Sequence, residues 1–99
     1  MPADIELVGR VYSAHERLAV GFNAAALTAA EIVGRTHAFI TCEDAPIRFR
    51  IDGSNPTAQV GHLLNVGDVL TLDRVDQLNS FRVIAHGYET AVLQCSYGR

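Results

Sequence analysis

Ninety-nine residues bound one hydrophobic core, and a hydrophobic fraction of 48% with a formal charge of only −3 excludes an intrinsically disordered chain. All eight basic residues are arginine and none is lysine, and the net acidity excludes the basic stripe with which a general nucleic-acid binder neutralises phosphates. No apolar run approaches the roughly 20 residues of a bilayer-spanning helix, and Met1-Pro2-Ala3-Asp4-Ile5-Glu6 lacks the basic and apolar regions of a leader, so a soluble protein without an export signal is expected.

Residues 1–16 show apolar Ile5, Leu7, Val8, Val11 and Tyr12 without a sustained period, which reads as an N-terminal arm or an irregular edge strand. From residue 17 to 99 the chain reads as one β domain. Arg17 to Asn23 is strand material, with Leu18, Val20 and Phe22 on one face because side chains alternate along a strand. Ala24 to Val33 is rich in alanine but short, and Gly34 is a natural stop, so a brief helical turn or a loop crossing one end of a barrel is expected.

Beyond Gly34 the period of two strengthens. Thr36 to Glu43 places Ala38, Ile40 and Cys42 on one face, and Ile47 to Asp52 points Ile47, Phe49 and Ile51 inward and Arg48, Arg50 and Asp52 outward. Asp44-Ala45-Pro46 between them suits an antiparallel hairpin. Asp52-Gly53-Ser54-Asn55-Pro56 is dense in turn formers, Thr57 to Val60 and Val69 to Leu72 read as short strands, and Val66-Gly67-Asp68 reads as a turn between them. Ser80 to His86 places Phe81, Val83 and Ala85 inward, and Thr90 to Tyr97 does the same for Ala91, Leu93, Cys95 and Tyr97. Short strands at this spacing predict an all-β fold: a compact antiparallel β-sandwich or jelly-roll-like barrel with at most one short helical turn.

Few residue patterns in the chain carry recognisable chemistry. His15, His37, His62 and His86 stand singly, with no His-x-His, His-Glu-x-x-His or Cys-x-x-Cys, so no metal and no cofactor is expected, and a cupin-like metalloenzyme lacks its signature. Cys42 and Cys95 lie on apolar faces, as reduced buried thiols rather than a disulfide or a nucleophile. Phosphate-cradling loops ending in Gly-Lys-Ser or Gly-Lys-Thr need the missing lysine. No catalytic residue is assigned, and the chain is expected not to be an enzyme. The polar feature with content is the outward cluster Arg48, Arg50 and Asp52, joined by Arg82 on another strand: a candidate interaction surface, or else a solvated sheet face.

The stretch Ala45-Pro46-Ile47-Arg48-Phe49-Arg50-Ile51-Asp52-Gly53-Ser54-Asn55-Pro56-Thr57-Ala58-Gln59-Val60-Gly61-His62-Leu63-Leu64, continuing through Gly67-Asp68-Val69-Leu70, the later Phe81-Arg82-Val83-Ile84 and the terminal Leu93-Gln94-Cys95-Ser96-Tyr97, resembles small β-structured virion proteins of tailed bacteriophages and prophages. That likeness covers roughly residues 27–97. It implies a capsid decoration, cement or tail accessory protein, a homo-oligomer that meets major capsid or tail proteins, binds neither nucleic acid nor membrane, and resides in the virion after assembly in the bacterial cytoplasm. In such a protein Ile5, Leu7, Val8 and Tyr12 would be arm contacts to a neighbour, with multivalency supplying strength that one small contact lacks. The competing expectation is a β module recognising a ligand such as a host-surface glycan, for which the absence of Trp leaves few stacking platforms.

Overall fold

A computed structural model of the chain describes residues 11–87 and 89–99. Its strands in chain order are β1 (Tyr12–Val20), β2 (Ala25–Ala26), β3 (His37–Glu43), β4 (Ile47–Arg50), β5 (His62–Leu64), β6 (Val69–Leu72), β7 (Arg82–Ala85) and β8 (Ala91–Gly98), with helices α1 (Ala29–Ile32) and α2 (Val75–Ser80). They form two four-stranded sheets in the orders β1-β8-β3-β6 and β2-β7-β4-β5. Antiparallel pairs join first to last and inward from there: β1 with β8, β2 with β7, β3 with β6 and β4 with β5. One long ribbon is thus folded across itself, and the β3–β8 and β4–β7 ladders close it into a jelly roll, the all-β sandwich that the alternation predicts.

The reason lies in the side chains. Ala38, Ile40 and Cys42 of β3 face inward beside Tyr97, Cys95 and Leu93 of β8, and Ile47 and Phe49 of β4 face them from the other sheet beside Val83 and Ala85 of β7. These residues form one buried cluster with Phe81, whose ring stacks on Phe49 at 5.7 Å. Burying such a side chain contributes about 1.5–3 kcal/mol, which is what sets the direction each strand faces.

Several local expectations are corrected. β3 and β4 are not a hairpin, because they belong to different sheets. The three residues between them form a corner: Asp44 takes φ +74°, a conformation Asp tolerates better than most residues, and the Ala45 amide donates to Glu43 O at 2.8 Å. A hairpin would set the two apolar faces side by side in one sheet, whereas the corner sets them face to face across the core. Residues 57–60 are loop rather than strand, and β5 lies just beyond them in a stretch expected to be a connection. Ile51 lies past the end of β4 and is exposed rather than in the core, and Phe22 lies past the end of β1 and is exposed too.

Two helices stand where at most one was expected. The alanine-rich segment divides into β2 and α1, and Gly34 with φ +75° follows. α2 has no counterpart in the sequence reading; it is held by Leu78, buried at 2% exposure, and by the Asp73 amide donating to Gln77 Oε1 at 2.7 Å. Residues 12–16 belong to β1, an edge strand of its sheet. No helix among the described residues is long and apolar enough to cross a membrane.

Candidate functional site

The outer face of the β2-β7-β4-β5 sheet collects the arginines. With Ile47 and Phe49 committed to the core, Arg48 and Arg50 must point outward, and the same alternation on β7 turns out Arg82 and Ile84. Register then decides who meets whom: Arg50 stands opposite Arg82, while Arg48 is flanked by Ile84 on one side and Leu63 of β5 on the other. Like charges directly opposite are unfavourable in a sheet, so each guanidinium needs its own partners.

They have them. Arg48 donates through Nε to His86 Nδ1 at 3.2 Å and through Nη1 to Gly61 O at 2.9 Å, which places the His86 proton on Nε2. Arg82 donates through Nη1 to the carbonyls of Asn79 and Phe81 at 2.9 and 2.8 Å. Arg50 is bound by both its Nε, at 3.0 Å, and its Nη2 to the Asp52 carboxylate. That pair raises the Arg50 pKa, and it holds the Asp52 carboxyl below the usual carboxylate value with help from the Ser54 amide. The four expected surface residues, Arg48, Arg50, Asp52 and Arg82, therefore share one region. His86 was missed by the sequence reading, although it continues the outward series 82, 84, 86.

Beside this face the chain from residue 51 to 61 is pinned by side chains and amides. Asp52 Oδ1 accepts the Ser54 amide at 3.2 Å, and the Gly53 amide, at φ +86°, donates to Ser80 O at 3.1 Å. Thr57 Oγ1 accepts the amides of Gln59 and Val60 at 3.2 and 3.0 Å, and Pro56 is buried beneath. Gly61 returns the chain to β5 at φ +140°, where a Cβ would sit 3.1 Å from both Phe49 O and Pro56 Cβ. Asp-Gly, Pro-Thr and Gly are thus parts of one stapled connection. A cleft of about 370 Å³ opens between its two limbs, lined by Arg50, Ile51, Asp52, Val60, Gly61 and His62, with the His62 ring 5.3 Å from that of Phe49.

The outer face of the other sheet is different in kind. Gln94 Oε1 can only accept, so His15 Nε2 donates to it at 2.8 Å, leaving Nδ1 to accept from the Ser96 hydroxyl at 3.0 Å, and Gln94 Nε2 donates on to Glu43 at 3.3 Å. A serine donating to a histidine is half of a nucleophilic relay, but the group orienting this imidazole is a neutral amide, and the cleft at Arg50, the cavity between α1 and α2 and the one beside Asp73 are lined by other residues. Tyr12 of β1 packs edge-on against His37 and Phe39 of β3 at 5.0 and 6.4 Å, and Ile5, Leu7 and Val8 lie outside the described residues.

Cys42 and Cys95 are free and buried. Burial first, then the carboxylates of Asp68, Asp44 and Glu43, push the Cys42 thiol up to about 11, and burial pushes Cys95 up to about 12. Both are therefore un-ionised and unreactive near neutrality. Among the described residues no group of three or more His, Cys, Asp or Glu is placed to hold a metal ion. No protein-family model, no curated protein and no solved structure matches the chain.

Proposed function

We propose that the chain is a non-enzymatic structural protein of a bacteriophage particle, a decoration or cement subunit that docks on the capsid lattice. The observation that carries this reading is the arginine face: Arg48, Arg50 and Arg82 stand together on one rigid sheet beside apolar Leu63 and Ile84. The residues that give the sequence its likeness to virion proteins also build that face and staple the loop next to it. The planar guanidiniums of Arg48 and Arg82, fixed by backbone carbonyls, keep further donors in a set orientation, which suits carboxylates on a partner and costs little side-chain entropy on docking.

Mass spectrometry of purified particles tests the reading. The expected result is a copy number near that of a lattice subunit, falling sharply in particles carrying Arg48→Met with Arg82→Met; absence of the chain from the particle overturns it. A second reading, recognition of a glycan, is favoured by the cleft at Arg50, whose paired Arg50 and Asp52 offer hydrogen-bonding edges beside apolar Ile51 and Val60. Chemical-shift changes confined to this cleft on adding a panel of oligosaccharides would replace the first reading by the second.

A further inference from the structure

At one end of the sandwich two chain crossings run side by side. β2 and β3 belong to different sheets, as do β6 and β7, and because β3 pairs with β6 and β2 with β7, the connections that carry α1 and α2 are neighbours. Between them lies a cleft of about 480 Å³, within the size range of small-molecule sites. Ile32 and Val33 supply apolar wall from one crossing and Val75 from the other, with Val33 and Val75 exposed at 68 and 48%. Arg35, Thr36 and Asn79 add polar groups to the same lining.

Arg35 carries the one charge of that lining, and it is poorly provided for. Its Nε is buried and donates to no group, its Nη1 donates to Val33 O at 3.2 Å, and no carboxylate among the described residues pairs with it. The other guanidiniums tied in this molecule fare better: Arg50 has the Asp52 carboxylate, and Arg48 and Arg82 each have two acceptors. A cation set against apolar walls, partly dehydrated and without a counter-charge, favours an anion, and the guanidinium fork matches a carboxylate. Because Nε is enclosed by protein, the approach is to the Nη edge. The adjoining hollow shares Thr36 and Val75 and is otherwise lined by Asp73, Arg74 and Asp76, two carboxylates to one guanidinium, so it repels a second anionic group. That disfavours a polyanion such as a phosphate ester and leaves a monocarboxylate with an aliphatic body.

We propose that this cleft binds a small aliphatic carboxylate, with its charged end on Arg35 and its hydrocarbon between Val33 and Val75. The inference does not depend on the virion reading, since it is tested on the purified chain alone.

Hexanoate serves as the probe. In a titration followed by amide chemical shifts, saturable changes are expected at residues 32–36 and 75–79, with a Kd of about 1 mM. Hexanamide, of the same length without the charge, is expected to bind about tenfold more weakly or worse, and so is hexanoate to Arg35→Met, because each loses a charge-assisted hydrogen bond. Should Arg35→Met not fold, Val75→Glu, at an exposed helix position, sets a like charge in the wall and is expected to weaken binding similarly. Acetyl-glycyl-leucine presents the same carboxylate and aliphatic end on a peptide: tighter binding than hexanoate assigns the site to a chain terminus, weaker binding to a free acid, and either supports a carboxylate site. No saturable change at about 20 mM hexanoate, equal binding of hexanamide, undiminished binding by the variants, or changes as large at Arg48, Arg50 and Arg82 overturns the proposal.

Discussion

The two sheets of this jelly roll reach order by different means. In β1-β8-β3-β6 the strands run seven to nine residues except for β6, and the long β8 is paired along both sides. In β2-β7-β4-β5 no strand exceeds four residues, and what the ladder lacks is supplied by arginine and threonine side chains tied to backbone groups. Backbone pairing is periodic and indifferent to which polar residue faces out. Side-chain staples are specific, so the second sheet ties its outward arginines to backbone groups, while the outer face of the first carries a side-chain relay of His15, Ser96, Gln94 and Glu43.

The largest effect should come from the shared core. Phe81→Ala, which removes a ring with no exposure from between the sheets, is expected to cost about 3–5 kcal/mol in urea unfolding, and Leu93→Ala in the first sheet about 2–5 kcal/mol. Equal loss of amide protection in both sheets after either change would mean one cooperative unit. Loss confined to β4 and β7 after Phe81→Ala would separate the sheets into two.

Alkali should distinguish the sheets next, since Cys42, Cys95 and Tyr97 all lie in the first. Burial raises all three above their ordinary values of 9.0, 9.0 and 10.0, and the Tyr97 hydroxyl also donates to Glu16 at 2.6 Å. The unfolded chain therefore loses these protons first. Stability is complete below pH 9 and falls as pH rises, by up to about 1.4 kcal/mol per pH unit for each proton the folded chain keeps, toward the folded thiol values of about 11 and 12. Thermal melts of a Cys95→Ala variant should show a shallower decline; an identical slope would remove this thiol from the account.

In the second sheet, Gly61→Ala forces a Cβ against Phe49 O and Pro56 at positive φ, with an expected cost of about 1–3 kcal/mol and faster proteolysis between residues 51 and 60. The smallest effect belongs to Asp52→Asn. Its exposed pair with Arg50 should leave the urea midpoint within error while speeding cleavage of the same loop. Because the folded pKa of Asp52 lies below the ordinary 3.8, that pinning is complete above pH 3.8 and is lost as pH falls through the depressed value, a change readable by limited proteolysis with an acid protease.

The strands that end in the core were legible because their inward residues repeat every second position: Ala38, Ile40 and Cys42; Phe81, Val83 and Ala85; Leu93, Cys95 and Tyr97. The arginine face was legible for the same reason, as the complement of Ile47 and Phe49. The stapled loop was only half visible: Asp52, Gly53 and Pro56 announce turns and Asp52 is held by its near neighbours Arg50 and Ser54, but the Gly53 amide is held by Ser80, distant in sequence, and the return to β5 depends on the φ of Gly61. α2 gave no apolar period, because six residues present one buried side chain, Leu78.

Alternation by itself settled that the chain is β, which residues turn inward where the strands run, and that Arg48, Arg50 and Arg82 turn outward, but it did not settle where β1 and β4 end, so Phe22 and Ile51 fall outside the core. It could not settle which strands are neighbours, because a side-chain period of two is the same whether Asp44-Ala45-Pro46 makes a hairpin or a corner. Tertiary packing decided that. Only by crossing between sheets at Asp44 do the apolar faces of β3 and β4 meet, and only then does β7 come to lie beside β4 and bring Arg82 opposite Arg50.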